Sequence, residues 1–124
     1  MWLFRQKKTL AESGFFRGFT DCHSHLLPGI DDGVKTEEET WRILDEMERQ
    51  GLRKIWLTPH VMEDMSNKTV TLQQKFLSLK QKYQGKVELA LAAEYMLDNL
   101  FEERLEKDDL LPLCLLYTSD AADE

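Results

Sequence analysis

Three histidines are the residues of this chain whose types and spacing most clearly suggest chemistry. His23 and His25 form a His-x-His pair that an Asp-Asp-Gly stretch soon follows, and His60 ends the string Thr-Pro-His. Imidazole nitrogens bind Zn, Mn or Fe, and carboxylates bridge paired metals. Because the sequence holds no further histidine, we predict that all three serve one metal site. Such a site could activate water and clamp the oxygens of a phosphate group.

The elements that must position these histidines alternate between strands and helices. The predicted strands cover residues 17–25, 53–58 and 87–93. The predicted helices cover a stretch from residue 36 to the glycine at 51, residues 70–84, and a stretch from about residue 98. This alternation predicts parallel strands joined by helical crossovers, which is the α/β class.

Caps and apolar spacing predict the helices. Thr36 and Glu39 form a capping box at the start of the first helix, and Gly51 is a typical helix stop. The apolar faces are formed by Trp41, Ile43, Leu44 and Met47 in the first helix, by Leu72, Phe76, Leu79 and Tyr83 in the second, and by Phe101 and Leu105 in the third. Their spacing suits one face of a helix.

Strand geometry predicts that the candidate ligands converge. Side chains alternate along a strand, so His23 and His25 share a face. Pro59 cannot extend a sheet ladder, so we expect His60 just beyond the end of the second strand. Glu94 ends the third strand. Active sites of parallel α/β folds lie at the carboxyl ends of the strands, so we expect these residues at one rim.

Three further residues near the histidines have less certain roles. Asp31 or Asp32 could fold back to the rim, but Asp-Asp-Gly is also a good turn, so one of the pair is interpreted as structural. Strand alternation places Cys22 on the opposite face, toward the helices, where we interpret it as a packing residue. No Arg-containing loop of a cysteine-dependent phosphatase follows Cys22 or Cys114.

Composition excludes several classes of function. The formal net charge of −7 argues against a nucleic-acid-binding surface, which needs clustered Lys and Arg. No apolar run is long enough to span a bilayer, so no membrane span is expected. The two cysteines lie far apart, which argues against a disulfide framework and favours a cytoplasmic protein.

The strings around these residues resemble a known superfamily. They are the continuous run from His23 to Gly33, Thr58-Pro59-His60, and Ala92-Ala93-Glu94-Tyr95. Together they resemble the PHP-type (polymerase and histidinol phosphatase) superfamily, and within it the bacterial manganese-dependent protein-tyrosine phosphatases of the CpsB/YwqE kind. The resemblance covers about residues 17–113. It implies the N-terminal part of a distorted, TIM-like, PHP-type β/α barrel, with about three β-α units.

The resemblance also implies a function and a set of site residues. It implies a hydrolase that removes phosphate from phosphotyrosine on proteins, with a bacterial tyrosine kinase of capsule or exopolysaccharide synthesis as the partner. The cofactor implied is Mn²⁺, as two or three ions in the complete enzyme, with other divalent metals as alternatives. A metal-bound hydroxide would attack phosphorus. By position, the implied metal ligands are His23, His25, Asp32, His60 and Glu94.

This chain also departs from the pattern of the family that it resembles. Members carry a further histidine and an Asp-x-His pair in the C-terminal half, whereas this sequence has no histidine after His60. We therefore expect a leader over residues 1–16, a partial and inactive phosphatase domain over 17–113, and a non-native, adapter-derived tail over 114–124. The alternatives are an inert fragment or half-domain that binds metal or a partner, and a PHP-type phosphoesterase acting on a small phosphate ester.

Overall fold

Short parallel strands and three helices alternate along the chain. The computed structural model describes residues 7–113, so part of the predicted leader and all of the predicted tail, including Cys114, lie outside the described residues. The strands are β1 (Thr20–Asp21), β2 (Lys54–Leu57), β3 (His60–Val61), β4 (Glu88–Leu91) and β5 (Glu94–Tyr95). The helices are α1 (Glu37–Arg49), α2 (Thr69–Lys82) and α3 (Asn99–Glu106). The predicted mixed α/β class is confirmed.

The strands form two small parallel sheets that share one register. The first has the order β1-β2-β4, and the second pairs β3 with β5. Leu57 pairs with Leu91 and His60 with Glu94, which is the same sequence offset. β3 and β5 therefore continue the pairing of β2 with β4, which is interrupted at Thr58-Pro59 and at Ala92-Ala93.

His60 lies beyond the end of β2, but the expectation that Pro59 stops the sheet ladder was wrong, because the strand pairing resumes after it. Proline has no N–H to donate, but its carbonyl oxygen can still accept a hydrogen bond. The Glu94 N–H donates to the Pro59 carbonyl at 2.9 Å, and the Met96 N–H to the Val61 carbonyl at 3.1 Å. His60 therefore begins β3, directly opposite Glu94.

The first strand is much shorter than predicted, because hydroxyl groups replace the ladder beyond Asp21. The Ser24 N–H donates to Thr58 Oγ1 at 3.1 Å, and Ser24 Oγ donates to the Trp56 carbonyl at 2.8 Å. The Thr58 N–H donates to the Ser24 carbonyl at 2.8 Å. The segment that carries His23 and His25 thus stays beside β2 without being a regular strand.

The helix caps largely match the predictions. Thr36 Oγ1 accepts from the Glu39 N–H at 3.2 Å, but the Glu39 carboxylate reaches back to the Lys35 N–H at 2.8 Å rather than to that of Thr36. In α3 the Asp98 carboxylate accepts from the Phe101 N–H at 2.9 Å.

The expected apolar face of α3 is partly wrong, because Leu105 is 55% exposed whereas Arg104 is 8% exposed. The guanidinium of Arg104 donates to backbone carbonyl oxygens of the loop before α2, and this contact requires Arg104 to face the protein.

The core lies between one face of the first sheet and the helices α1 and α2. Ile55 and Leu57 of β2 are fully buried, whereas the alternate residues Lys54 and Trp56 are half-buried. The helices contribute Leu44, Leu72, Phe76 and Leu79 to the same cluster. The three histidines lie outside this apolar cluster. Among the described residues, no helix has the length and apolar character needed to cross a membrane.

Truncating the core should cost stability in proportion to burial. Leu44 is 0% exposed, so Leu44→Ala should lower the free energy of unfolding by about 2–5 kcal/mol, measured by urea denaturation. Val70, also on a helix, is 61% exposed, so Val70→Ala should change it by no more than about 0.5 kcal/mol. Similar losses in the two variants would contradict this packing.

Candidate metal centre

The centre of the site is one oxygen atom of Glu94. Three imidazole nitrogens surround Oε2: His60 Nδ1 at 3.0 Å, His25 Nε2 at 3.3 Å and His23 Nε2 at 3.4 Å. This oxygen is buried, and no hydrogen bond reaches it from the described residues. Burying a carboxylate oxygen without a hydrogen-bond partner is unfavourable. A cation bound among Glu94 Oε2 and the three imidazole nitrogens would supply the missing partner.

The spacing of these atoms fits metal coordination. Ligand atoms bound to one metal at about 2.0–2.2 Å lie roughly 3.0–3.5 Å apart in octahedral or tetrahedral geometry. The three distances to Glu94 Oε2 fall in that range, and His23 Nε2 lies 3.1 Å from His25 Nε2. The donor set of imidazoles and a carboxylate suits Mn, Fe or Zn.

Asp31 orients the histidines from inside the protein. Its side chain is 1% exposed, and Oδ2 lies 3.0 Å from His25 Nδ1. The same carboxylate accepts the N–H groups of His60 and Gly33, each at 3.0 Å. Burial would raise the pKa of Asp31, but these hydrogen bonds outweigh it and hold the pKa below its ordinary value. When neutral His25 donates from Nδ1 to Asp31, its Nε2 lone pair faces Glu94.

Asp32 occupies a different position from Asp31. Its side chain is 69% exposed, and Oδ1 lies 3.2 Å from His60 Nε2. The two nitrogens of the His60 ring therefore face two carboxylates, Glu94 on one side and Asp32 on the other. The His25 and His60 rings stack with centroids 4.4 Å apart.

All of the residues predicted to bind metal come together. They fall into two adjoining groups, one with His25, Asp31, Asp32 and His60, the other with His23, His25 and Glu94. Within each group the ligand atoms lie within 4.8 Å of one another. His25 is common to both groups, so the two groups form one continuous centre.

The interpretation of Cys22 as a packing residue was wrong, because Cys22 is exposed. Strand alternation predicted a buried face, but the chain leaves the regular ladder after Asp21, so alternation no longer applies there.

The sequence interpretation also missed two residues that support the centre. The Asn67 side chain binds the carbonyl oxygens of His60 and Ile30. A Cβ on Gly33 would lie 2.3 Å from the His25 carbonyl oxygen and 2.5 Å from its Cβ. Gly33 has a sequence signal, as the last residue of the Asp-Asp-Gly stretch, whereas Asn67 is one polar residue in a polar loop.

Comparison with known proteins gives one family. The family model described as "Capsular polysaccharide synthesis, CpsB/CapC" matches residues 19–115. The tyrosine-protein phosphatase CpsB of Streptococcus pneumoniae is 34% identical over 96 residues, which are 73% of this chain and 39% of that protein. The protein of the same name from Streptococcus agalactiae is 44% identical over 45 residues, 36% of this chain and 18% of that protein. The chain thus spans well under half the length of these relatives.

The close approach of Gly33 to His25 gives a direct test of the site geometry. Gly33→Ala should displace His25, shift the NMR signals of its ring, and lower the free energy of unfolding by about 1–3 kcal/mol. Gly18→Ala is the control, since no atom lies within 4 Å of a Cβ there and only the positive φ of 76° is strained. An unshifted His25 ring in Gly33→Ala would contradict the geometry.

Proposed function

Because the chain belongs to the CpsB/CapC family of capsular polysaccharide synthesis, we propose that it supplies metal ligands to a metal-dependent protein-tyrosine phosphatase. The observation that carries the proposal is that Glu94 Oε2 is buried among three imidazole nitrogens and accepts no hydrogen bond from the part of the chain that the structure describes. The relatives are tyrosine-protein phosphatases, and their names supply the proposed substrate class, which is phosphotyrosine on proteins.

The proposed ligands are the five residues predicted from the sequence. They are His23, His25, Asp32, His60 and Glu94. Asp31 is proposed to orient rather than to bind, because its lone pairs already accept from His25, His60 and Gly33. The proposed cofactor is Mn²⁺, as two or three ions in the complete enzyme. Divalent ions in such a site lower the pKa of water and neutralise charge on phosphate oxygens.

The buried and the exposed side chains of the site are proposed to have different roles. Asp31 is the buried acceptor that contacts His25 Nδ1 and the His60 N–H, and Glu94 Oε2 is buried beside the rings of both histidines. His23 and Asp32 have side chains that are 56% and 69% exposed. A phosphate group is therefore proposed to approach from the side of His23 and Asp32.

The fold around the site is proposed to be part of a larger barrel. The described strands are parallel, and the candidate ligands lie beyond the carboxyl ends of β1, β2 and β4, as in β/α barrels. We propose that residues 17–113 belong to the PHP-type phosphatase domain, which agrees with a family match over 19–115. Residues 1–16 are proposed as a leader, and residues 114–124 as a non-native tail.

The description of the family supports a proposed partner. Its members belong to capsular polysaccharide synthesis. We propose that the phosphatase acts on a bacterial tyrosine kinase that controls capsule or exopolysaccharide production.

The role of Glu94 predicts a specific loss of metal binding. Glu94→Gln keeps the shape of the side chain but removes its charge, so the affinity of the 124-residue chain for Mn²⁺ should fall at least about tenfold by calorimetry. Glu88→Gln removes a carboxylate that is 60% exposed and 3.8 Å from Lys54 Nζ, and should bind Mn²⁺ as the unaltered chain does. Equal affinities in the two variants would refute the assignment of Glu94.

The proposed activity can be tested in a chimera. Residues 19–113 would replace the matching segment of the Streptococcus pneumoniae relative, while the 124-residue chain alone should show negligible turnover. The chimera should hydrolyse a phosphotyrosyl peptide with Mn²⁺, and His23→Ala should reduce that rate at least about 100-fold, since it removes a metal ligand.

Two results of this assay would count against the proposal. A folded, metal-loaded chimera that hydrolyses only sugar phosphates would replace phosphotyrosine with a small phosphate ester as the substrate. A chimera whose rate is insensitive to His23→Ala would remove that histidine from the site.

A further inference from the structure

The side-chain amide of Asn67 joins β3, which begins with His60, to the loop that carries Asp31 and Asp32. Asn67 lies in the loop between β3 and α2. Its Nδ2 donates to the carbonyl oxygen of His60 at 3.0 Å and to that of Ile30 at 3.3 Å. Ile30 directly precedes Asp31 and Asp32. An amide group carries two hydrogens, so it can donate one to each of these carbonyl oxygens.

Arg104 of α3 holds the backbone of the same loop. The residue is 8% exposed, and its guanidinium donates from Nη1 to the Asn67 carbonyl at 2.6 Å and from Nη2 to the Ser66 carbonyl at 3.4 Å. Within residues 7–113, no carboxylate forms an ion pair with it. The hydrogen bonds of the buried Arg104 guanidinium therefore go to the backbone of the loop.

The start of α3 also contacts this loop. The Glu63 N–H donates to Asp98 Oδ2 at 2.9 Å, and the Asn99 N–H donates to Glu63 Oε1 at 3.1 Å. The loop is thus fixed to α3 at two places, near its start through Glu63 and near its end through Arg104. Because of these contacts, the position of α3 determines where the Asn67 amide lies.

We propose that Asn67 is a positioning residue for the metal centre. It sets the separation between His60 and Asp32, whose side chains lie 3.2 Å apart but belong to β3 and to the loop after β1, the two segments that its amide joins. Arg104 couples the position of α3 to that amide. The proposal rests on the proposed function in one respect only, that the centre binds a metal ion.

The test exploits the near-identical shapes of asparagine and aspartate. Asn67→Asp removes both donors and places a carboxylate oxygen against two carbonyl oxygens, so it should reduce the affinity for Mn²⁺ about 10–100-fold. Ser66→Asp is the control, because Ser66 is exposed and the change adds the same charge one residue away. Added negative charge by itself should raise the affinity for Mn²⁺. The loss of positioning should lower it, so the direction of the change in Asn67→Asp distinguishes the two effects.

A second readout does not depend on metal. In the metal-free chain, Asn67→Asp should shift the NMR signals of the His60 ring and leave those of His23 in place, and Ser66→Asp should move neither. If Asn67→Asp does not fold, Arg104→Lys takes its place, since it keeps the charge but loses the fork of donors. Arg104→Lys should shift the same His60 signals.

The outcomes separate this proposal from the proposed function. An unaltered chain that fails to bind Mn²⁺ counts against the proposed metal centre. The NMR signals of the His60 ring in metal-free Asn67→Asp would then still test whether Asn67 positions His60. An Asn67→Asp variant that binds Mn²⁺ as tightly as Ser66→Asp, with unshifted His60 signals, would overturn the role of Asn67.

Discussion

The structure around the site depends on one electrostatic constraint, which is a buried carboxylate oxygen that accepts no hydrogen bond from residues 7–113. Glu94 Oε2 faces nitrogens of His23, His25 and His60 at distances of 3.0–3.4 Å. Burying such an atom is unfavourable unless a positive group meets it. The strands, the hydrogen bonds of Asp31 and the loop contacts keep this oxygen close to the imidazole nitrogens. This arrangement supports the proposed metal site.

A strand pairing and a buried side chain bring the Glu94 oxygen and the histidines together. The pairing of β2 with β4 continues into β3 and β5 at the same offset, so His60 lies opposite Glu94. The Asp31 carboxylate then ties the loop after β1 to His25 and to the His60 backbone. Residues that are far apart in sequence therefore meet through one strand pair and one buried carboxylate.

Much of the site could be predicted from the sequence, because ligand types and strand ends leave strong patterns. Predictions failed where side chains replaced the backbone ladder. The Ser24 and Thr58 hydroxyls replace part of the ladder, so the first strand is short and Cys22 is exposed. The Pro59 carbonyl accepts the Glu94 N–H, so strand pairing resumes at His60. Asn67 could not be predicted, since its role depends on carbonyl groups that only the folded loops bring near it.

The most direct test of the central claim is anomalous X-ray scattering from a crystal of the Mn²⁺-loaded chain. The account predicts an anomalous peak among Glu94 Oε2 and the surrounding imidazole nitrogens, at about 2.0–2.2 Å from the atoms that bind it. A peak elsewhere, for example beside the exposed carboxylates at the start of α1, would contradict the account. So would a loaded crystal with no peak at Glu94.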